Sequence, residues 1–283
     1  MATTIANLGS PAPIGNLLIV DGLNVAFRWK HQNILDFKYD YIRTIESLAK
    51  SYKAGTIIVC ADGGSSYRKE IFPEYKANRK ERFADQTEQE AKEFEMFMAE
   101  FQDTLTLIKE KYPVFHFRGV EADDIAAYIT QRIDYDECWL ISSDKDWDLL
   151  IQDKVSRFST VTRKEITIDN WDDHYDVEPD KYLTLKCLAG DTGDNVPGIA
   201  GIGPKRAVSL IEQYGDLFDI YNACPIDSHY KFIQTLNEHA DRLLLNAELM
   251  DLESYSEQAL IEANMNLEDL SSQILEYLNE VRD

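Results

Sequence analysis

At 283 residues and 44% hydrophobic content the chain can bury a substantial core, as one large domain or one and a half, and its composition is that of an ordinary globular protein. A net charge of -22 excludes a uniformly basic, phosphate-binding surface, so any nucleic-acid contact must rest on local basic segments. Cys60, Cys138, Cys187 and Cys224 stand singly, without Cys-x-x-Cys or Cys/His zinc spacing, which speaks against a disulfide framework and for a reduced, cytoplasmic setting.

Residues 1–16 have neither a basic n-region nor an apolar span, so they predict no signal peptide and no membrane segment; Pro11, Pro13 and Gly15 suggest a loose lead-in. Residues 17–21 form a short apolar strand, 39–52 carry helical spacing, and 56–61 form a second strand. A long intermission follows at about 65–112. Its first half is basic and turn-rich, with Arg68, Lys69, Lys76, Arg79, Lys80 and Arg82; its second, 87–111, repeats Phe94, Phe97, Met98, Phe101, Leu105 and Ile108 at helical steps, the pattern of an amphipathic crossover helix. Strands at 114–120 and 137–142 flank a helix at 121–133, and 155–158 with 165–168 suggest an edge hairpin. Strands alternating with helices predict a mostly parallel α/β sheet covered on both faces. A helical unit begins near Pro179, with helices at 180–189, 204–214, within 228–250, and at 267–281.

Acids follow the strands. Asp21, Asp62, the group Glu121, Asp123 and Asp124, and the pair Asp144 and Asp146 each come just after an apolar run, so parallel strands would gather them at the sheet edge where α/β folds bind ligands. Asp191 and Asp194 follow a helix instead. Asp21-Gly22-Leu23-Asn24 reads equally well as a plain turn, and Asp148 as a first-turn helix acid. Two like charges about 4 Å apart repel by roughly 4 kcal/mol at an effective dielectric near 20, so such a cluster calls for cations. Carboxylates without His or Cys suit Mg²⁺ or Mn²⁺, and a pair of such ions supports phosphodiester hydrolysis.

Residues 198–206, Gly-Ile-Ala-Gly-Ile-Gly-Pro-Lys-Arg, supply the phosphate side. Gly201 and Gly203 let backbone amides approach a phosphate, Pro204 suits a first helical turn, and Lys205 and Arg206 add charge. Such a helix-hairpin-helix contacts the backbone and not the bases.

The runs Val20-Asp21-Gly22, Tyr75-Lys76-Ala77-Asn78-Arg79, Gly119-Val120-Glu121-Ala122-Asp123-Asp124, Ser143-Asp144-Lys145-Asp146 and residues 190–205 together resemble the flap endonuclease or 5′-3′ exonuclease family. The likeness is to the stand-alone enzymes of T-five-like bacteriophages and to the 5′-nuclease domain of bacterial DNA polymerase I, and it covers about residues 16–250. It implies a PIN-like core over 16–178 with a helical arch at about 65–112, then a helical DNA-binding region over 179–283. By position it implies Asp21, Asp62, Glu121, Asp123 and Asp144 as ligands of one metal site, and Asp124, Asp146, Asp191 and Asp194 as ligands of a second. Lys76 and Arg79 match residues that grip the scissile phosphate, and Tyr75 an aromatic for base stacking. Arg28, Lys30 and Arg68 join the hairpin residues as DNA contacts. The resemblance also implies a K⁺ ion held by backbone oxygens around Leu188, Ala189, Pro197, Ile199 and Ile202, for which no side chain argues. The activity implied is two-metal hydrolysis of DNA at 5′ flaps and ends by a monomer without membrane attachment, acting in a bacterial host's cytoplasm. Two rivals share some of these features: a PIN-type ribonuclease, which does not need the duplex-binding hairpin, and a non-catalytic junction-binding protein.

Overall fold

The computed structural model describes residues 15–280, without the side chains of residues 80–83 and 279. The lead-in up to residue 14, the helix end at Val281 and the side chains of Lys80 and Arg82 lie outside the described residues.

The chain runs β1 (Asn16–Asp21), α1 (Gly22–Lys30), α2 (Lys38–Ser51), β2 (Ala54–Ala61), α3 (Ser66–Ile71), α4 (Ala77–Ala84), α5 (Glu88–Lys109), β3 (Val114–His116), α6 (Ala122–Arg132) and β4 (Cys138–Ile141). After a 3-10 turn at Lys145–Leu150 come β5 (Val155–Phe158) and β6 (Glu165–Ile166). The sheet order is β3-β2-β1-β4-β5-β6, parallel throughout except for β6, which pairs antiparallel with β5 as the edge hairpin.

β1 lies in the middle of this sheet, and its apolar run shows why. Leu17 and Ile19 enter the core shared with α6, whereas Leu18 and Val20 enter the core shared with α2 and α5. A strand whose alternate residues both meet a helical layer has no place for a polar side chain. The phenylalanine stripe of α5 is that second layer: Phe97, Phe101, Leu105 and Ile108 are buried against the α2 side. A capping box between Thr87 and Glu90 starts the helix.

Three departures from the sequence reading have local causes. The four residues from Asp21 open α1 rather than a free turn, since the Asp21 side chain caps the helix by accepting from the Asn24 amide. β3 ends at His116, not at residue 120, because the following stretch pairs with the Asp62 loop instead: Gly119 N donates to Gly63 O, and Gly63 N to Val120 O, both at 2.8 Å. A Cβ on Gly63 would stand 1.8 Å from the Phe117 carbonyl, so only glycine fits. Asp148 does lie in a first turn, but its carboxylate faces inward, where Arg157 grips it at 2.5 and 2.8 Å. Asp148→Ala would leave that buried guanidinium unpaired and is expected to lower unfolding stability by about 3–5 kcal/mol, measured by urea denaturation; a loss under about 1 kcal/mol would contradict it.

The second half of the chain is α7 (Tyr182–Ala189), the ribbon β7 (Gly190–Asp191) and β8 (Val196–Pro197), then α8 (Pro204–Tyr214), α9 (Leu217–Ala223), α10 (Lys231–Glu238), α11 (Asp241–Met250), α12 (Leu252–Glu262) and α13 (Leu267–Glu280). α7 to α11 share one core. α12 and α13 instead carry Leu252, Leu260, Leu270, Ile274 and Leu278 back into the α6 face of the sheet. The sequence order of the two regions is therefore not their packing order.

Candidate active site

The parallel strands deliver their acids to one edge. Asp21 ends β1, Asp62 follows β2, Glu121 precedes α6 with Asp123 and Asp124 in its first turn, and Asp144 and Asp146 follow β4. Asp21, Asp62, Asp123 and Asp144 line one cleft of about 510 Å³ with Lys76 and Arg79. Leu23, Phe27 and Phe94 form its apolar wall. A larger hollow of about 660 Å³, near Tyr135 and Pro179, contains none of these acids.

The carboxylates are held from behind by neutral donors. Asp21 accepts from Ser142 Oγ at 2.7 Å, Asp62 from the Ala122 amide at 3.2 Å, and Asp123 from the Trp147 indole at 2.5 Å. Burial and then the neighbouring Asp62 push the Asp21 carboxyl up to about 8. Burial also raises Asp62 and Asp123, with Glu121 and Asp144 respectively adding to it. Glu121 goes the other way: burial opposes its charge, but Lys76 and Arg68 hold it down at about 2.

Two lysines join the sheet acids to those of the helical region. Lys76 Nζ contacts Glu121 Oε1 and lies 3.3 Å from Asp194. Lys186 Nζ contacts Asp146 and lies 2.9 Å from Asp191. Burial lifts Asp146 to about 6 despite Lys186, whereas Asp191, which also accepts from the Gly193 and Asp194 amides, stays below the usual carboxylate range against burial. The base of the intermission is sewn to the same loop: Arg79 donates to Asp194 at 2.8 Å, Asn78 to the Thr192 carbonyl at 2.9 Å, and Asn195 to the Glu74 carbonyl at 2.8 Å. Asp191 and Asp194 therefore stand beside the sheet-edge acids although they follow a helix.

Among the described residues no three acidic side chains converge as a closed metal-binding group; the two ammonium groups stand where the carboxylates would otherwise repel. The donor chemistry nonetheless fits hard divalent cations, being all carboxylate oxygen; the Asp21 carboxyl is raised first by burial and then by the like charge of Asp62.

Three expected roles do not hold. Arg68 is buried, and its fork takes both Asp124 oxygens, at 2.7 and 2.8 Å; Arg68 cannot reach DNA, and Asp124 is engaged as its partner rather than open to a metal. The Tyr75 ring is buried as well, the single proton of its hydroxyl shared between Asp194 at 2.9 Å and Glu121 at 3.2 Å, so no base can stack on it. Lys30 does face the cleft, 5.3 Å from the Phe94 ring centroid, while Arg28 lies 5.8 Å from that of Trp29. Sequence reasoning missed Lys186; the available signal was a lone cation in the apolar helix five residues before Asp191.

The hairpin stands next to this seam. Gly201 has φ +86, and α8 begins at Pro204 with Lys205 and Arg206 exposed. Arg206 is partly committed to its own hairpin, contacting the Gly201 carbonyl and lying 4.6 Å from the Phe232 ring centroid. Of the backbone oxygens expected around a K⁺, those of Leu188 and Ile199 accept amides at 2.9 Å, and that of Pro197 accepts Asn246 Nδ2 at 3.0 Å.

Comparison with known proteins follows the same division. Residues 16–176 match the model of the 5′-3′ exonuclease N-terminal resolvase-like domain, and residues 177–275 that of the 5′-3′ exonuclease C-terminal SAM fold. The chain is 44% identical over 267 residues to the flap endonuclease of Escherichia phage T5, covering 92% of each. It is 31% identical to a 5′-3′ exonuclease of Mycoplasmopsis pulmonis, over 74% of this chain and 68% of that one. It is 27% identical to Bacillus subtilis DNA polymerase I, over 82% of this chain but 27% of the polymerase. Among solved structures, T5 5′-exonuclease with bound divalent metal ions (zinc) superposes with a TM-score of 0.89, covering 93% of this chain and 99% of that one. A pseudo-enzyme-product complex of the T5 flap endonuclease with DNA and metal ions gives the same score and coverage, at 44% identity.

Proposed function

The chain belongs to the 5′-3′ exonuclease family and is a nuclease of the flap endonuclease kind, and we propose that it hydrolyses DNA at 5′ flaps and ends with two Mg²⁺ or Mn²⁺ ions held in the acidic cleft. The observation that carries this reading is the cleft itself, lined by Asp21, Asp62, Asp123 and Asp144 together with Lys76 and Arg79, in a chain that also carries a hairpin suited to a phosphate backbone. Asp21, Asp62, Glu121, Asp123 and Asp144 would serve one ion, and Asp146, Asp191 and Asp194 the other. Bound there, the ions supply an activated water and offset charge at the phosphate.

The chain's own residues do the rest. Backbone amides near Gly201 and Gly203, with Lys205 and Arg206, hold the duplex without reading its bases. The 5′ single strand then lies in or beside the arch of residues 65–112, with Lys30 near the entering strand. Lys76 and Arg79 leave their carboxylate partners for the scissile phosphate and offset its developing charge. We further propose that the enzyme works as a monomer in the host cytoplasm and that a K⁺ ion at the hairpin carbonyls steadies the backbone contact.

Digestion of an end-labelled 5′-flap substrate with and without Mg²⁺ tests the proposal. Release of a flap-length product with Mg²⁺ and none with chelator is expected. Binding without product under both conditions would remove catalysis, and a preference for single-stranded RNA would remove the substrate assignment. Lys205→Ala tests the hairpin separately: affinity should fall regardless of sequence, and the slope of log K against log salt should shrink by about 0.9, one phosphate contact. An unaltered slope would count against the contact.

A further inference from the structure

Arg68 makes more contacts than a buried counter-charge requires. It is 2% exposed, and beyond its two-oxygen grip on Asp124 it donates from Nη1 to Glu121 Oε2 at 3.0 Å and from Nε to the Leu249 carbonyl at 2.7 Å. Asp124 alone would neutralise it. The extra contacts join Glu121 to α11, a link separate from the one that Lys76 and Tyr75 make between Glu121 and Asp194.

Glu121 is the first of these. Its Oε2 accepts from Arg68 and from the Tyr75 hydroxyl, while its Oε1 meets Lys76 at the cleft. Leu249 is the second, near the end of α11. Three residues earlier in α11, Asn246 Nδ2 donates to the carbonyls of Cys187 and Pro197, at 2.9 and 3.0 Å. These carbonyls lie at the base of the hairpin, and Ile199 N donates to the Leu188 oxygen beside them. Tyr67 reinforces the joint, its hydroxyl donating to Glu248 at 3.0 Å. A continuous hydrogen-bonded path therefore runs from hairpin base through Asn246, α11 and Arg68 to Glu121.

We infer that Arg68 is a positioning residue that fixes the Glu121 carboxylate by reference to the helix carrying the hairpin, so that seated DNA and a cation ligand share one frame. The inference rests on the reading of Glu121 as a cation ligand. A buried ion pair contributes little net stability, often less than apolar side chains of the same size. What arginine adds is a planar fork with donors in fixed directions, which can meet two carboxylates and a carbonyl at once. Lysine has the charge without the fork.

Arg68→Lys in the full-length protein separates these roles. Flap binding in chelator is expected to stay within about twofold, while Mn²⁺ affinity measured by calorimetry falls about tenfold or more, as for other groups that orient metal ligands. Cleavage at saturating DNA should slow in step and recover as Mn²⁺ is raised. A folded Arg68→Lys protein with wild-type Mn²⁺ affinity would overturn the inference. So would flap binding that falls as far as cleavage, since Arg68 would then act on DNA seating. Should Arg68→Lys not fold, Tyr75→Phe removes, without touching charge, a hydroxyl shared by the same Glu121 oxygen at 3.2 Å and by Asp194 at 2.9 Å. Its Mn²⁺ affinity should drop about threefold in protein that circular dichroism shows to be folded, and an unaltered affinity would overturn the inference. A wild-type protein that takes up no Mn²⁺ rejects Glu121 as a cation ligand and this inference with it, an outcome distinct from every variant result.

Discussion

Asp144→Ala and Asp146→Ala should each abolish cleavage while leaving flap binding in chelator intact. Asp144 is exposed at the cleft mouth, and its side chain accepts from the Asp146 amide at 3.0 Å, so its removal costs a cap worth about 1 kcal/mol and little else in stability. Asp146 is the sheet's half of the Lys186 bridge, and without it Lys186 keeps only Asp191, its neighbour in the helical region. If these carboxylates hold the cations, the loss is several kcal/mol of transition-state stabilisation, or at least about a thousandfold in rate. Single-turnover cleavage of a labelled flap, paired with a binding titration in EDTA, measures both. Wild-type turnover in the two variants would end the metal assignment.

Much of this site is legible in the sequence because strand ends are. A continuous apolar run closed by an acid places that acid at a sheet edge wherever the fold is parallel, and this locates Asp21, Asp62 and Asp144 from the sequence alone, whereas Glu121 and Asp123 arrive at the start of α6, beyond the end of β3 at His116. The glycine-rich turn before Pro204 is equally plain, and α8 runs over 204–214 as expected. What the sequence hides is direction. Arg68, Lys76 and Arg79 stand in one basic stretch, yet Arg68 points away from the cleft into a pocket formed by α6 and α11, segments more than fifty residues distant. Charge density along a chain does not tell which cations are solvated and which are buried with partners. Asp124 has the same difficulty at the start of α6, since Asp123 faces the cleft and Asp124 faces Arg68. Lys186 is hidden for the opposite reason: its apolar neighbours make a core helix, and the charge in it draws no attention.

Lys76→Met is expected to cleave about 10²–10³-fold more slowly while binding flaps nearly as well as wild type. Lys76 has φ 56, a strained backbone that methionine would share, so the substitution removes charge without altering conformational preference. Burial opposes the ammonium, but Glu121 and Asp194 lift it well above the ordinary lysine value, so it stays charged throughout the pH range of any assay. That ammonium contacts the same carboxylate oxygens that cations would use. Removing it leaves Glu121 with Arg68 and Tyr75, and Asp194 with Arg79 and Tyr75, each more exposed to a competing cation. Mn²⁺ should therefore bind Lys76→Met more tightly than wild type even though the variant cleaves more slowly. A residue that merely helped to hold metal would lose affinity and rate together. Full cleavage by Lys76→Met would show that the ammonium only balances the acids around it, and Arg79 and Lys30 would then be left as the cleft's cations toward phosphate.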